Sequence, residues 1–194
     1  MIPFRSKYKR RLGCLEENLM LNSSIPLYLN FDVIAACYYD DPVRHALLSM
    51  KFHDEGYHYK EFGSILAKTA RDEHLSYDYI VPVPLHRNRE NERGYNQTML
   101  VAERFAFETG SVVMGDLLFR SKSTNRQSEA GSKEGRMSNM KGAFICRGVE
   151  RIINKKVLLL DDVLTSGATM FNAASCIREE INVEISGIVI ASDR

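Results

Sequence analysis

The residues from Val157 to Met170 read VLLLDDVLTSGATM. The first four form a continuous apolar run without period-two alternation, which is typical of a parallel strand covered on both faces. Asp161 and Asp162 are expected to close this strand, and a turn rich in hydroxyls follows at residues 165–169 before a helical pattern begins. The run therefore predicts a central strand, an acidic pair, a turn and a helix, in that order.

The turn between this strand and the helix has the chemistry of a phosphate site. A helix N-terminus presents unpaired backbone N–H groups and a partial positive charge. Thr165, Ser166 and Thr169 would add hydroxyl donors, and Gly167 lets the backbone approach a ligand. Two carboxylates repel phosphate unless they face ribose hydroxyls or a bridging Mg²⁺. A ribose 5-phosphate would therefore suit both the acidic pair and the hydroxyl-rich turn. A simple helix cap at a βα junction is the alternative interpretation.

The same run resembles the binding loop for phosphoribosyl pyrophosphate (PRPP) in type I phosphoribosyltransferases. The shared pattern is an apolar run, two acids and a Thr/Ser-Gly-Ala-Thr turn. The resemblance implies that Asp161 and Asp162 hold the ribose 2′ and 3′ hydroxyls and stabilise positive charge developing on the ribose. It also implies that the 5′-phosphate is bound by the PRPP-binding turn residues Thr165, Ser166, Gly167, Ala168 and Thr169. Competing P-loop and dinucleotide-binding glycine motifs are absent from the sequence.

Length and composition predict one domain of ordinary size. The chain has 194 residues, 44% of them hydrophobic, which is enough for a sizeable core. The net charge of +1 does not indicate a nucleic-acid binder, so such a role would depend on local patches. No apolar run is long enough to span a membrane, and the basic N-terminus leads into Glu16, Glu17 and Asn18 rather than an apolar signal core. We therefore expect a cytoplasmic protein.

The four cysteines, Cys14, Cys37, Cys146 and Cys176, are scattered without a C-x-x-C pair. This spacing argues against a zinc site and against a disulfide framework. We interpret them as the reduced thiols of a cytosolic protein.

A second informative stretch follows the strand predicted at Tyr79–Val83. Residues 81–97 read VPVPLHRNRENERGYNQ, and an amphipathic helix follows. The loop should therefore lie at the carboxyl edge of the sheet, where arginine forks suit a pyrophosphate. An exposed loop in which Glu90 and Glu92 neutralise the neighbouring arginines is an equally open interpretation.

This stretch resembles the signature of the ComF competence family, a branch of the type I phosphoribosyltransferase fold. The signature consists of a V-P-V-P-L segment followed by an R-G-x-N-Q segment. The resemblance implies that the pyrophosphate or phosphate loop uses His86, Arg87, Arg93, Asn96 and Gln97.

Residues Ser121–Lys141 hold almost no large apolar side chain and are rich in Ser, Lys, Arg, Asn, Glu and Gly. Such a segment cannot bury enough surface to hold itself in place. We expect a flexible lid that shields a reactive sugar intermediate from water, with plain disorder as the alternative. By the ComF resemblance, the lid loop carries Arg120, Thr124, Gln127, Arg136 and Asn139.

The resemblance covers about Phe31–Arg194 and implies an α/β fold, a type I phosphoribosyltransferase-like parallel sheet flanked by helices, with a flexible lid loop. Residues 1–30 are expected to form a solvated N-terminal arm with a short basic run. ComF proteins commonly carry a zinc ribbon ahead of this domain. Here only Cys14 precedes it and Cys37 lies within its first predicted strand, so either the ribbon is absent or the true start of the chain lies further upstream, and no zinc is expected. The final strand is predicted at Val183–Ala191, with Gly187 as a point of close packing.

The resemblance implies a function in natural competence, with Mg²⁺ and PRPP or a related phosphosugar as ligands. Family members are associated with uptake of single-stranded DNA and with a helicase-like ATPase, so we expect both as partners, bringing the protein to the inner face of the membrane. Such a module would hold the nucleic-acid backbone with Arg87, Arg89, Arg93 and the basic arm. The alternative is an active phosphoribosyltransferase in nucleotide metabolism that transfers phosphoribose from PRPP to an unknown acceptor. The acidic pair favours that alternative, because carboxylates repel a polyanion.

Overall fold

The computed structural model of the chain describes residues 8–12, 31–52, 58–84, 96–121 and 143–192. The strands are β1 (Tyr8–Leu12), β2 (Phe31–Tyr38), β3 (Tyr79–Pro82), β4 (Val112–Val113), β5 (Leu118–Arg120), β6 (Phe144–Cys146), β7 (Lys156–Leu164) and β8 (Glu184–Ser192). The helices are α1 (Asp41–Phe52), α2 (His58–Asp72), α3 (Gln97–Thr109) and α4 (Ala168–Glu180), with a 3₁₀ turn at Val149–Ile152. No helix within these ranges is long and apolar enough to cross a membrane.

Six of the eight strands in the described ranges form one sheet, in the order β1-β2-β8-β7-β3-β4. Neighbours are parallel except for β1, which runs antiparallel to β2. A separate antiparallel pair is formed by β5 and β6, and we call it the β5–β6 hairpin. Because β7 lies between β8 and β3, the predicted central strand is confirmed, and so is the parallel sheet flanked by helices.

Both faces of the sheet are covered. On one face, Leu158 and Leu160 pack with α1, α2 and α3, where Phe62 and Phe105 are among the buried contacts. On the other face, Leu159 packs with α4 and with the β5–β6 hairpin. The three leucines are 0% exposed, which explains why the sequence of β7 shows no polar alternation.

Gly187 on β8 is the predicted point of close packing, and the structure confirms it. A Cβ atom at this position would lie 2.8 Å from Cγ2 of Val33 on β2. The glycine therefore lets the side chain of a neighbouring strand lie directly against the β8 backbone.

Strand β1 lies within the residues expected to form the N-terminal arm. Tyr8–Leu12 pairs with β2, and Arg10 lies opposite Val33. A charged sequence is compatible with an edge strand, because one side of such a strand stays open to solvent. No strand was predicted here from the sequence. The other residues of the expected arm, Cys14 included, lie outside the described ranges.

Candidate functional site

The candidate site lies where β7 passes into α4. β7 continues through Asp161 and Asp162 to Leu164, so the prediction that the acids close the strand is wrong. The extension is held by pairing with β8, since Leu164 lies opposite Ser192. The Ser192 hydroxyl also donates a hydrogen bond to the Leu164 carbonyl oxygen across 3.0 Å.

The strand changes phase at the acidic pair. Leu158 and Leu160 belong to the core cluster under α1–α3, whereas Leu159 belongs to the cluster under α4. If side chains alternated strictly between the two faces of the sheet, Val163 would share a face with Leu159, and Leu164 would share the other face with Leu158 and Leu160. The structure shows the reverse, because Val163 packs under α1–α3 and Leu164 under α4. The side chains after the acidic pair therefore pack on the opposite faces from those that strict alternation predicts.

Local hydrogen bonds orient both carboxylates. Asp161 Oδ1 accepts the backbone N–H of Asp162 at 2.8 Å, and Asp162 Oδ1 accepts the N–H of Val163 at 2.7 Å. Both acids are half-buried. Each carboxylate is therefore held against the backbone of the next residue, and this limits its rotamers before any ligand binds.

The amino end of α4 is built to leave its N–H groups available. Gly167 is the N-cap, with φ 82 and ψ −3, a left-handed conformation that favours glycine. It contributes no capping side chain, and the first turn of α4 carries no acid. Ser166 Oγ accepts the N–H of Ala168 at 3.4 Å. Thr165 is exposed and Thr169 half-buried, so hydroxyls border the same turn. An anion at this turn would meet backbone donors and a positive helix end.

The end of β3 lies beside the acidic pair. Pro82 is opposite Leu160 in the sheet, and the N–H of Val83 donates to the Leu160 carbonyl oxygen at 2.8 Å. The segment after β3 consequently starts at the same carboxyl edge as Asp161. Ligands of open α/β sheets bind at this edge.

Comparison with known proteins shows which proteins the chain is similar to. It is 27% identical over 156 residues to Competence protein F of Haemophilus influenzae, covering 75% of this chain and 68% of that protein. It is 30% identical over 141 residues to Competence protein ComFC of Streptococcus pneumoniae, covering 73% of this chain and 59% of that protein. The chain is related to the ComF competence proteins. The resemblance inferred from the signature is thereby confirmed, although no protein-family model matches the chain.

Solved structures give the fold. The chain matches glutamine PRPP amidotransferase from B. subtilis, complexed with ADP and GMP, at a TM-score of 0.50 and 16% identity. The match covers 74% of this chain and 30% of that one. The fold is therefore of the type I phosphoribosyltransferase class, as the resemblance implied.

Two of the predicted phosphate-loop residues are described, and both lie at the start of helix α3. Asn96 is its N-cap, and Asn96 Oδ1 accepts the N–H of Thr98 at 3.1 Å. Gln97 is the first helical residue and is 1% exposed. Asn96 thus caps the amino end of α3. The other predicted loop positions, His86, Arg87 and Arg93, lie outside the described residues.

Arg120 is the described member of the predicted lid set. It is the last residue of β5, and its guanidinium lies 5.3 Å from the ring centre of Phe144 on β6. The structure thus places Arg120 in the hairpin, because Leu118 and Phe119 extend the strand up to it. The remaining lid positions lie outside the described residues, namely Thr124, Gln127, Arg136 and Asn139.

Sequence reasoning missed Asp40 at this edge. It follows β2, whose last residue Tyr38 lies opposite Ser192 at the end of β8. Asp40 Oδ1 is shielded from solvent and accepts no hydrogen bond from the described residues. In the sequence, Asp40 is the first residue of an Asp-Asp-Pro run, and such a run does not indicate a third carboxylate at the edge.

The described residues contain no cluster of three or more His, Cys, Asp and Glu side chains suited to holding a metal ion. Two half-buried carboxylates still supply the hard oxygen donors that Mg²⁺ takes, when substrate oxygens and water complete the shell. Asp161 and Asp162 therefore fit a magnesium ion that arrives with a phosphorylated ligand.

Proposed function

We propose that the chain binds PRPP, or a related ribose 5-phosphate, and acts in natural competence. One observation carries the binding proposal. The acidic pair at the carboxyl end of a central parallel strand leads within a few residues into the Gly167-capped amino end of α4. Hydroxyl-binding and phosphate-binding groups are thus adjacent in the chain and lie at one edge of the sheet.

The two halves of this site suit different parts of one ligand. Carboxylates accept hydrogen bonds and so suit sugar hydroxyls, whereas backbone N–H groups donate and so suit phosphate. A polyanion without hydroxyls near the acids would be repelled by Asp161 and Asp162. The ligand should therefore carry a diol and a terminal phosphate a few ångströms apart, as a ribose 5-phosphate does.

Mg²⁺ is the ion that the proposal requires with PRPP. When bound, it would neutralise charge on the pyrophosphate. Asp161 and Asp162 would hold it directly, through water or through the ligand. Electrostatic positioning by these residues would then favour positive charge on the ribose.

Calorimetric titration with PRPP and Mg²⁺ tests the binding proposal. The wild type should show saturable binding, and the Asp161→Asn/Asp162→Asn variant should bind at least about tenfold more weakly, since charge-assisted hydrogen bonds contribute about 1.5–3 kcal/mol each. The matched control is Asp78→Asn/Glu184→Gln, which removes two carboxylates at the amino ends of β3 and β8, beside Lys156.

The control should bind PRPP like the wild type. If the wild type fails to bind, or if both double variants lose affinity alike, the ribose assignment is wrong. Ribose 5-phosphate should compete with PRPP better than inorganic phosphate does, because only the sugar offers hydroxyls to the acids.

Similarity to Competence protein F and ComFC supports the role in competence. We propose single-stranded DNA and a helicase-like ATPase as partners, with the protein working in the cytoplasm at the inner face of the membrane through them. Fluorescence anisotropy with a single-stranded oligonucleotide tests DNA binding. Replacing Arg87, Arg89 and Arg93 by Ala should lower affinity and flatten its salt dependence, and an unchanged salt slope would exclude that loop.

An active phosphoribosyltransferase is the second candidate. The presence of Asp161 and Asp162 favours it, because a site used only for DNA backbone would be weakened by two carboxylates. Its test is pyrophosphate release from PRPP in the presence of purine, pyrimidine or other amine acceptors. Release that depends on an acceptor and is lost in Asp161→Asn/Asp162→Asn would support catalysis, whereas PRPP binding without release with any acceptor would favour the binding role.

A further inference from the structure

Two cysteines far apart in the sequence meet between the β5–β6 hairpin and helix α4. Cys146 is the last residue of β6, and Cys176 lies in the second half of α4. Their Sγ atoms are 2.7 Å apart, both residues are half-buried, and both are free thiols. The sulfur atoms are therefore in contact, within about 0.7 Å of the roughly 2.0 Å length of a disulfide bond.

We propose that Cys146 and Cys176 are a redox-reversible pair whose disulfide fastens the β5–β6 hairpin to helix α4. The hairpin already packs on α4 through the core cluster that contains Phe144 and Ile177, so the bond needs no rearrangement of the two elements. α4 is the helix whose amino end forms the candidate phosphate turn. The proposal itself stands on the two sulfur positions and is independent of the ligand of that turn.

The oxidant we assign is a low-molecular-weight disulfide, such as oxidised glutathione. One cysteine thiolate attacks a sulfur of this oxidant and forms a mixed disulfide, releasing one reduced thiol. The other cysteine then loses its proton, attacks the mixed disulfide and releases the second thiol. Two protein thiols and one external disulfide thus yield one protein disulfide and two external thiols.

The environment favours Cys176 as the attacking group. The hydrogen bond from Cys146 lowers the pKa of the Cys176 thiol, although burial and the charges of Glu179 and Glu180 oppose this effect. The same hydrogen bond raises the pKa of Cys146, and burial acts in the same direction. Cys176 therefore carries more thiolate than Cys146 at neutral pH, and thiolate is the form that reacts.

Cys37 provides a built-in comparison. It is 1% exposed on β2, and burial, with the charge of Asp40 second, raises its pKa to about 11. Cys37 should therefore react slowly with the same oxidant. A difference between Cys37 and the Cys146–Cys176 pair would show that position controls oxidation.

The experiment equilibrates the full chain with glutathione buffers from reducing to oxidising, followed by acid quenching, alkylation and tryptic digestion. The pair lies in the tryptic peptides 142–147 and 157–178, whereas Cys14 and Cys37 share the peptide 12–44. We expect oxidised protein to contain peptides 142–147 and 157–178 joined within one chain, with a mass lower by two hydrogens. Both peptides fully alkylated under the most oxidising buffer, or joined to 12–44 instead, would overturn the proposal.

Variants and unfolding measurements make the test independent of peptide recovery. Cys176→Ser should abolish the crosslink, and Cys37→Ala should leave it intact. The melting temperature of oxidised wild type should exceed that of reduced wild type by on the order of 10 °C, because the bond closes a loop in the unfolded chain. Cys176→Ser should show no such difference. A crosslink that forms without raising the melting temperature would refute the fastening of the two elements.

Discussion

Ser192 donates its hydroxyl proton to the carbonyl oxygen of Leu164 across 3.0 Å. Leu164 is the last residue of β7 before the candidate phosphate turn, and Ser192 is the last residue of β8. Their exposures are 2% and 1%, so water does not compete for this bond. The contact ties the two central strands together where the turn leaves the sheet.

Removal of this hydroxyl should destabilise the protein. Ser192→Ala leaves a buried carbonyl oxygen with one partner fewer, and we expect the free energy of unfolding to fall by about 1–3 kcal/mol. Urea denaturation measures the change. Ser186→Ala on the same strand is the control, because its half-buried hydroxyl makes no hydrogen bond to the described residues. Equal losses in the two variants would mean that the Leu164 contact contributes nothing specific.

Alanine substitutions at two glycines with the same backbone conformation distinguish an effect on PRPP binding from an effect on stability. Gly167 and Gly110 have φ values of 82 and 69, so alanine at either position should reduce the free energy of unfolding by about 1–2 kcal/mol. Gly110 caps the far end of α3 and has no atom within 4 Å of a built Cβ. We expect Gly167→Ala alone to weaken PRPP binding, measured by calorimetry. Wild-type affinity in Gly167→Ala would place the phosphate elsewhere.

The contact between Gly187 and Val33 should appear as coupling between two substitutions. Gly187→Ala places a methyl group 2.8 Å from Cγ2 of Val33, so it should be strongly destabilising. Val33→Ala removes both γ carbons and leaves room for that methyl group. In a double-mutant cycle on the free energy of unfolding, the double variant should be more stable than the sum of the single losses predicts, by about 0.5–3 kcal/mol. Additive losses would contradict the steric explanation.

Glu108 should make the stability depend on pH in the acid range. It accepts hydrogen bonds from Ser64 of α2 and from Arg104, the latter at 2.5 Å. The Ser64 bond first, then the Arg104 bond and charge, lower the pKa of Glu108 below 4.5, while burial opposes them. The folded state thus holds the ionised form, and its stabilisation is present at neutral pH and is lost as the pH falls through the lowered pKa.

Glu108→Gln should therefore lose less stability than the wild type on acidification. Unfolding measured at about pH 7 and about pH 3 tests this difference, and the exposed Glu103→Gln on the same helix serves as control. A second readout is carboxyl titration by NMR, in which Ser64→Ala should raise the pKa of Glu108. If the wild type and Glu108→Gln lose the same stability on acidification, the hydrogen bonds of Glu108 with Ser64 and Arg104 have no part in acid unfolding.

The central features of the fold were predictable because they depend on local patterns. The apolar run of β7 needs cover on both faces, and the turn at 165–169 carries its own chemistry. The apolar run predicted a parallel strand and the turn predicted where the candidate site lies, whereas the class of fold was implied by the resemblance to type I phosphoribosyltransferases. The length of β7 could not be predicted, because Val163 and Leu164 join the strand by pairing with β8 and by the hydrogen bond from Ser192, which lie far away in the sequence.

Other features were hidden because their partners are remote or their composition misleads. Cys146 and Cys176 follow no spacing motif, and only the packing of β6 on α4 brings them together. Strand β1 was not predicted, because its run of basic residues carries no strand pattern and its partner β2 is distant in the sequence. Asp40 lies at the same edge as Asp161 through the pairing of β2 with β8, a relationship that no short window of sequence contains.

The pairing of β2 with β8 also has a consequence for how the protein is made. β2 is near the beginning of the described chain and β8 at its end, yet they are neighbours in the sheet. During synthesis β2 must wait until the residues between Tyr38 and Glu184 have been made before its parallel partner leaves the ribosome, and such distant pairing slows folding. A chain stopped before residue 184 would expose unpaired edges on β2 and β7, which would recruit chaperones or promote aggregation.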